Sequence, residues 1–151
     1  MGNLIEKSLI ELDIEATTKE EVILQLSKKI NETGRLANFD AYLKSVIDRE
    51  ELTSTGIGFG IAIPHGKSDA VKESAVAFGK LKKGMNWEAI DDEDVTMVFL
   101  LAVPEGEGNE HLKILSKLSR KLIHDDFRKT LTEGSKEVIT SLLEETLKIE
   151  N

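Results

Sequence analysis

The apolar positions of this chain follow two different periods. Val22, Ile23, Leu26 and Ile30 fall on one helical face, directly after Thr18-Lys19-Glu20-Glu21, a capping-box sequence. Gly34 stands where a left-handed cap closes such a helix. Tyr42, Leu43, Val46 and Ile47 predict a second helix that begins near Asn38 and ends between Arg49 and Leu52. Leu112, Leu115, Leu118 and Leu122 predict a third, with Asn109 as a good N-cap. Val138, Ile139, Leu142 and Leu143 predict a fourth after Gly134-Ser135. Between these lie shorter runs. Residues 8–13 alternate in part, and residues 74–81 set Ala75, Ala77 and Gly79 against Val76 and Phe78. Residues 95–103 are apolar on both faces, which predicts a central strand covered on both sides. Helices dispersed among strands predict one α/β domain over residues 1–151, a mixed β-sheet flanked by α-helices on both faces.

Composition sharpens this picture. With 151 residues, 40% hydrophobic and 32% charged, the chain is long enough to bury one sizeable core and reads as an ordinary soluble domain. There is no cysteine, which excludes a disulfide framework, a thiolate zinc site and a cysteine nucleophile within it. The longest apolar run is far too short for a bilayer span, and the first residues show no signal peptide, so a cytoplasmic location is expected. A net charge of -8 argues against binding the phosphate backbone of a nucleic acid.

The chemistry concentrates in Gly56-Ile57-Gly58-Phe59-Gly60-Ile61-Ala62-Ile63-Pro64-His65-Gly66-Lys67-Ser68. Pro64 drives Ile63 into an extended conformation and fixes its own φ. Gly66 admits a close approach by backbone or ligand. One imidazole is therefore held at a fixed angle, as suits a nucleophile, a proton carrier or a metal ligand. Other motifs fail on count. A phosphate-binding P-loop ending at Gly66-Lys67-Ser68 needs glycine at position 61, which is isoleucine, and the glycines at 56, 58 and 60 do not complete a dinucleotide fingerprint. His65 and Asp69 share a face only if helical, and two ligands do not make a catalytic zinc site, so neither a metal nor a cofactor is expected. His111, in the first turn of a helix, suits a neutral imidazole donating to a phosphoryl oxygen, or a solvated helix start. His124 precedes Asp125-Asp126 at a helix end, where charge complementarity accounts for it.

Residues 50–66 closely resemble the phosphorylation-site signature of enzyme IIA domains of the bacterial phosphoenolpyruvate-dependent sugar phosphotransferase system, of the fructose/mannitol type. Asp48-Arg49-Glu50 occupies the place of that family's arginine, and residues 110–118 look like its second-histidine helix. The resemblance implies a phosphocarrier, with fructose as the favoured sugar. A phosphoryl group passes from phosphoenolpyruvate through enzyme I and HPr to Nε2 of His65, then to a cysteine of a IIB domain. Arg49 stabilises charge and His111 hydrogen-bonds the phosphoryl group. Lys67 and Ser68 are expected as solvated loop residues. Ile57, Phe59, Ile61 and Ile63 are candidates for an apolar docking rim, with at least half of them in the core. With no cysteine or membrane span in this sequence, the IIB acceptor is expected on another polypeptide or on a domain outside this sequence, and the membrane is met only through a IIC permease. Two rivals stand beside this reading: a regulatory relative that signals through its phosphorylation state, and a non-phosphorylated binding module.

Overall fold

The computed structural model describes residues 4–106 and 109–148, so the two ends of the expected 1–151 domain lie outside the described residues. After a 3-10 turn at Lys7–Leu9 come β1 (Ile10–Ile14), α1 (Lys19–Glu32), α2 (Phe39–Leu52), β2 (Gly56–Gly58), β3 (Ile61–Ala62), β4 (His65–Ser68), β5 (Ala75–Met85), β6 (Val95–Pro104), α3 (Glu110–Leu122), α4 (Asp125–Glu133) and α5 (Lys136–Thr146). The sheet is mixed and runs β1-β5-β6-β3-β2, with β4 also on β6. β6 is its spine, buried from Met97 to Val103 as its apolar run predicts. It pairs antiparallel with β5 on one side. On the other side it pairs parallel with β3 and then, further along, with β4.

Strand alternation shows that helices cover both faces. A Cβ on Gly79 would lie 3.1 Å from Leu26 of α1. The next residue, Lys80, turns the other way and donates from Nζ to the Thr132 carbonyl of α4 at 2.7 Å. Its register partner Met97 lies on that same side, in contact with the Thr132 hydroxyl. α1 and α2 thus pack on one face, and α4, with α3 and α5 beside it, on the other. Across the sheet centre Phe78 and Phe99 face each other with ring centroids 4.9 Å apart, both fully buried. Burying side chains of this size contributes about 1.5–3 kcal/mol each.

The caps form largely where the sequence places them. The Thr18 hydroxyl accepts from the Glu21 N–H at 3.2 Å, Asn38 accepts from Ala41 at 3.1 Å, and Ser135 accepts from Val138 at 3.2 Å. Gly34 takes φ +81°, the left-handed closure expected after α1. Asn109 precedes α3 but makes no side-chain cap bond. Two inward assignments are corrected. Leu112 is 52% exposed, because the buried stripe of α3 runs through Ile114, Leu118 and Leu122, and Leu112 lies roughly 200° round the helix from Ile114. Val138 is exposed because α5 buries Ile139 and Leu143 instead. α4 has no counterpart in the periodicity analysis. Its nine residues bury only Phe127 and Leu131, too few to set a helical period. Its presence adds to the setting of His124, which stands just past the C-cap of α3, donating its N–H to the Lys121 carbonyl at 3.1 Å, and is at the same time the N-cap of α4.

Candidate active site

Extended backbone carries the principal histidine. Ile63, 2% exposed, donates its N–H to the Thr55 carbonyl at 3.0 Å. Pro64 has no N–H to give, and its carbonyl accepts from Leu101 of β6 at 3.0 Å. β4 begins at once, with His65 in register with Leu101 and Gly66 with Ala102. Gly66 is needed for a close approach, and the group that approaches is α2. A Cβ there would lie 2.6 Å from Ser45 Oγ, 2.7 Å from Val46 and 2.9 Å from Tyr42. Tyr42, wholly buried, donates its hydroxyl to the Leu101 carbonyl at 2.8 Å, which ties α2 to the strand beside His65. Since Gly66 faces α2, alternation turns His65 and Lys67 to the opposite side, where α3 begins. Ser68 shares the Gly66 side, and its hydroxyl accepts from the Ala70 N–H in a turn. His65–Ser68 is strand and not helix, so Asp69 does not share a helical face with His65.

The ring of His65 is half-buried, and its Nδ1 lies 3.2 Å from the Ile63 carbonyl. A carbonyl can only accept, so Nδ1 carries the proton and Nε2 keeps its lone pair. His111, from the first turn of α3, stacks beside it with centroids 6.2 Å apart and planes at 27°. Burial holds the pKa of His65 below the ordinary histidine value. The Ile63 hydrogen bond opposes this, Arg49 and His111 add to the lowering, and Glu50 opposes it. His111 is lowered too, first by burial and then by the Lys67 charge. At neutral pH both rings are therefore predominantly uncharged, and a neutral imidazole is the nucleophilic form. The Nδ1 of His111 is buried and has no hydrogen-bond partner among the described residues.

The remaining residues sort by position. Arg49 lies near the end of α2, donates from Nη1 to the Thr53 carbonyl at 2.8 Å and brings a positive charge within reach of His65. Lys67 is exposed on the His65 side of β4, close enough to act on His111. His124 lies beyond the far end of α3, whose last residue Leu122 is roughly 17 Å along the axis from His111. Of the apolar rim candidates, Ile61 and Ile63 are core, Ile57 is half-buried and Phe59 is 53% exposed at the β2–β3 turn. Sequence reasoning missed Leu112, which stands exposed next to His111. It also gave no role to Glu50, whose buried carboxylate joins Lys19 and Thr55. A negative charge at an α2 position that the neighbouring apolar residues mark as inward was the available signal. A cleft of about 490 Å³ opens between the start of α1 and the end of α2, lined by Thr18, Lys19, Glu50, Glu51 and Ser54 among others. Neither His65 nor His111 lines it.

The arrangement is a half-buried, predominantly uncharged imidazole, hydrogen-bonded at Nδ1, with a second histidine and cations nearby, on an α/β domain. Comparison with known proteins gives that arrangement a family. Residues 3–146 match the family model of the phosphoenolpyruvate-dependent sugar phosphotransferase system, EIIA 2, and the chain belongs to this family. It is 41% identical over 140 residues to the fructose-specific EIIA component of Haloferax volcanii, covering 92% of this chain and 91% of that one. It is 41% identical over 134 residues to the fructose-specific EIIABC component of Bacillus subtilis, covering 89% of this chain but only 21% of that longer protein. In structure it resembles the nitrogen regulatory protein IIA-Ntr of Neisseria meningitidis, with TM-score 0.85, 32% identity and 93% and 96% of the two chains covered. It also resembles a complex of IIA mannitol with phosphorylated IIB mannitol from Escherichia coli, with TM-score 0.79, 26% identity and 93% and 98% covered.

Proposed function

We propose that this protein is a cytoplasmic phosphocarrier that takes a phosphoryl group onto Nε2 of His65 and hands it to a cysteine of a separate IIB domain. The observation that carries this reading is the Nδ1–H···O bond to Ile63, which leaves a lone pair on the outward nitrogen. In the loading step that lone pair forms an N–P bond as the donor's N–P bond breaks, and the donor imidazole of HPr keeps the released pair. In the unloading step a thiolate of IIB forms an S–P bond, and Nε2 recovers its pair. The Nδ1 proton stays in place throughout. Phosphoryl transfer asks the protein for positioning and charge stabilisation. Arg49, a planar fork of donors, and the His111 ring are the groups placed to supply them. The related complex with phosphorylated IIB mannitol supports the acceptor. The fructose-named relatives support fructose as the sugar. The half-exposed ring, outside the cleft between α1 and α2, suits a protein donor and a protein acceptor better than a small molecule.

Incubation with enzyme I, HPr and phosphoenolpyruvate is expected to add the mass of one phosphoryl group, labile in acid and stable in base, and absent from His65→Ala. No mass gain under these conditions sinks the proposal and favours the binding-module reading. The likeness to a nitrogen regulatory protein supports a second reading, in which the phosphorylated form signals. Transfer onward to a IIB cysteine separates the two, since a purely regulatory protein loads without delivering.

A further inference from the structure

The carboxylate of Glu50 is buried on α2, its side chain 6% exposed. It accepts three hydrogen bonds: from Lys19 Nζ at 3.1 Å, from the Thr55 N–H at 3.0 Å and from the Thr55 hydroxyl at 2.5 Å. The Thr55 oxygen in turn accepts from Trp87 Nε1 at 3.4 Å, and Lys19 lies 5.6 Å from the centroid of that ring. A carboxylate taken out of water needs this degree of compensation. The bonds then run on through the backbone. The Thr55 carbonyl accepts from the Ile63 N–H at 3.0 Å, and the Ile63 carbonyl accepts from His65 Nδ1 at 3.2 Å. Glu50, Thr55 and Ile63 are all buried, at 8%, 6% and 2% exposure, so little water competes for these bonds.

We infer that Glu50 is a positioning residue for His65, acting through Thr55 and Ile63 to aim the carbonyl that holds Nδ1–H and so to decide which ring nitrogen faces outward. The inference deepens the phosphocarrier reading and rests on it for its consequence in transfer. An ionised carboxylate suits the task because every group facing it is a donor. A glutamine here keeps one acceptor oxygen but sets its N–H₂ against Thr55 or Lys19, and opposite the Thr55 hydroxyl it fits only if that hydroxyl turns its own proton away.

The test uses Glu50→Gln, Thr55→Val and Thr55→Ser in the full chain. Two readouts are needed: ring nitrogen chemical shifts of His65 in the unphosphorylated protein, and the rate of phosphoryl uptake from phospho-HPr. Wild type is expected to show a single Nδ1–H tautomer. Glu50→Gln and Thr55→Val are expected to shift it towards a mixture with the Nε2–H form. Uptake should fall about tenfold in step, the scale of a small misplacement of a reacting group. Thr55→Ser, which keeps both bonds to the carboxylate, should hold both readouts near wild type. A folded Glu50→Gln protein with wild-type ring shifts and rate overturns the inference. So does a loss of thermal stability with unchanged ring shifts, which marks Glu50 as merely structural. If Glu50→Gln does not fold, the Thr55 pair decides by the same readouts. The two readings fail separately: a wild type that takes up no phosphoryl group removes the carrier function, while the ring shifts still judge whether Glu50 sets the tautomer.

Discussion

A turn precedes β3 and an extended stretch follows it, and they are built on opposite principles. The turn before it, Gly58-Phe59-Gly60, has φ of +99°, +59° and +76° at successive residues. Phenylalanine in the left-handed region is an outlier, at a cost on the order of 1 kcal/mol or more. It is held by a hydrogen bond from its N–H to Asp91 at 3.1 Å and by Arg128, whose guanidinium carbon lies 4.2 Å from the ring centroid. The stretch after β3, Ile63-Pro64-His65-Gly66, runs on extended into β4 and contains no positive φ. It is held by its surroundings: Thr55 on one side, Leu101 on the other, and α2 pressed against Gly66. The strained turn lies away from the candidate site, and the unstrained stretch carries it. Orientation of the His65 ring therefore comes from dense, ordinary bonding and not from stored backbone strain. The glycines differ in purpose as well. Those at 58 and 60 supply conformation, whereas Gly66 supplies room.

Gly66→Ala probes the extended stretch most severely. Its added methyl meets α2 at 2.6–2.9 Å and should cost about 2–3 kcal/mol of stability by overpacking, read from denaturant unfolding. An unfolding midpoint equal to wild type would mean that α2 yields freely and does not hold the strand. Arg49→Ala comes next. It should slow phosphoryl uptake at least tenfold with an unchanged melting temperature, as expected for loss of one charged stabiliser. His111→Ala should behave alike with a smaller effect. Wild-type rates in both variants would remove their roles.

The pH dependence follows from burial. Both ring pKa values lie below the ordinary histidine value in the folded state, so the unfolded chain binds protons more readily. The associated stability is complete above about pH 6.5 and is lost as pH falls through that value towards the folded pKa values. Ring-proton NMR titration should accordingly give midpoints below about 6.5 for His65 and His111. Midpoints above it would contradict the neutral nucleophile. The smallest effect belongs to the turn before β3. Phe59→Gly relieves backbone strain and loses the Arg128 contact, two terms of similar size, so stability should move by less than about 1 kcal/mol. Phosphoryl uptake should be unchanged, and a clear loss of rate would tie this distant turn to the site.

Much of this was legible in the sequence, for definite reasons. Long periodic segments such as 22–30 and the apolar run 95–103 each bury a full face, and that repeats in the residue pattern. Pro64-His65-Gly66 was legible because proline and glycine restrict backbone in known ways. α4 was not, since two inward residues cannot establish a period. The register of α3 was misjudged because Leu112 and Ile114 are equally apolar, and only packing against the sheet decides between them. β3 and β4 are short strands of two and four residues that exist through pairing with β6, a long-range fact that no local pattern encodes. Most of the Glu50 network was hidden for the same reason, since it joins Lys19 and Trp87 to the 50–55 stretch, three separate segments.

The cleft between α1 and α2 leaves the His65 ring outside, and for the proposed carrier that has a consequence for tempo. Each exchange would begin at the moment two protein surfaces meet. Between meetings the cargo would travel on a half-exposed ring, with the ring of His111 as its neighbour.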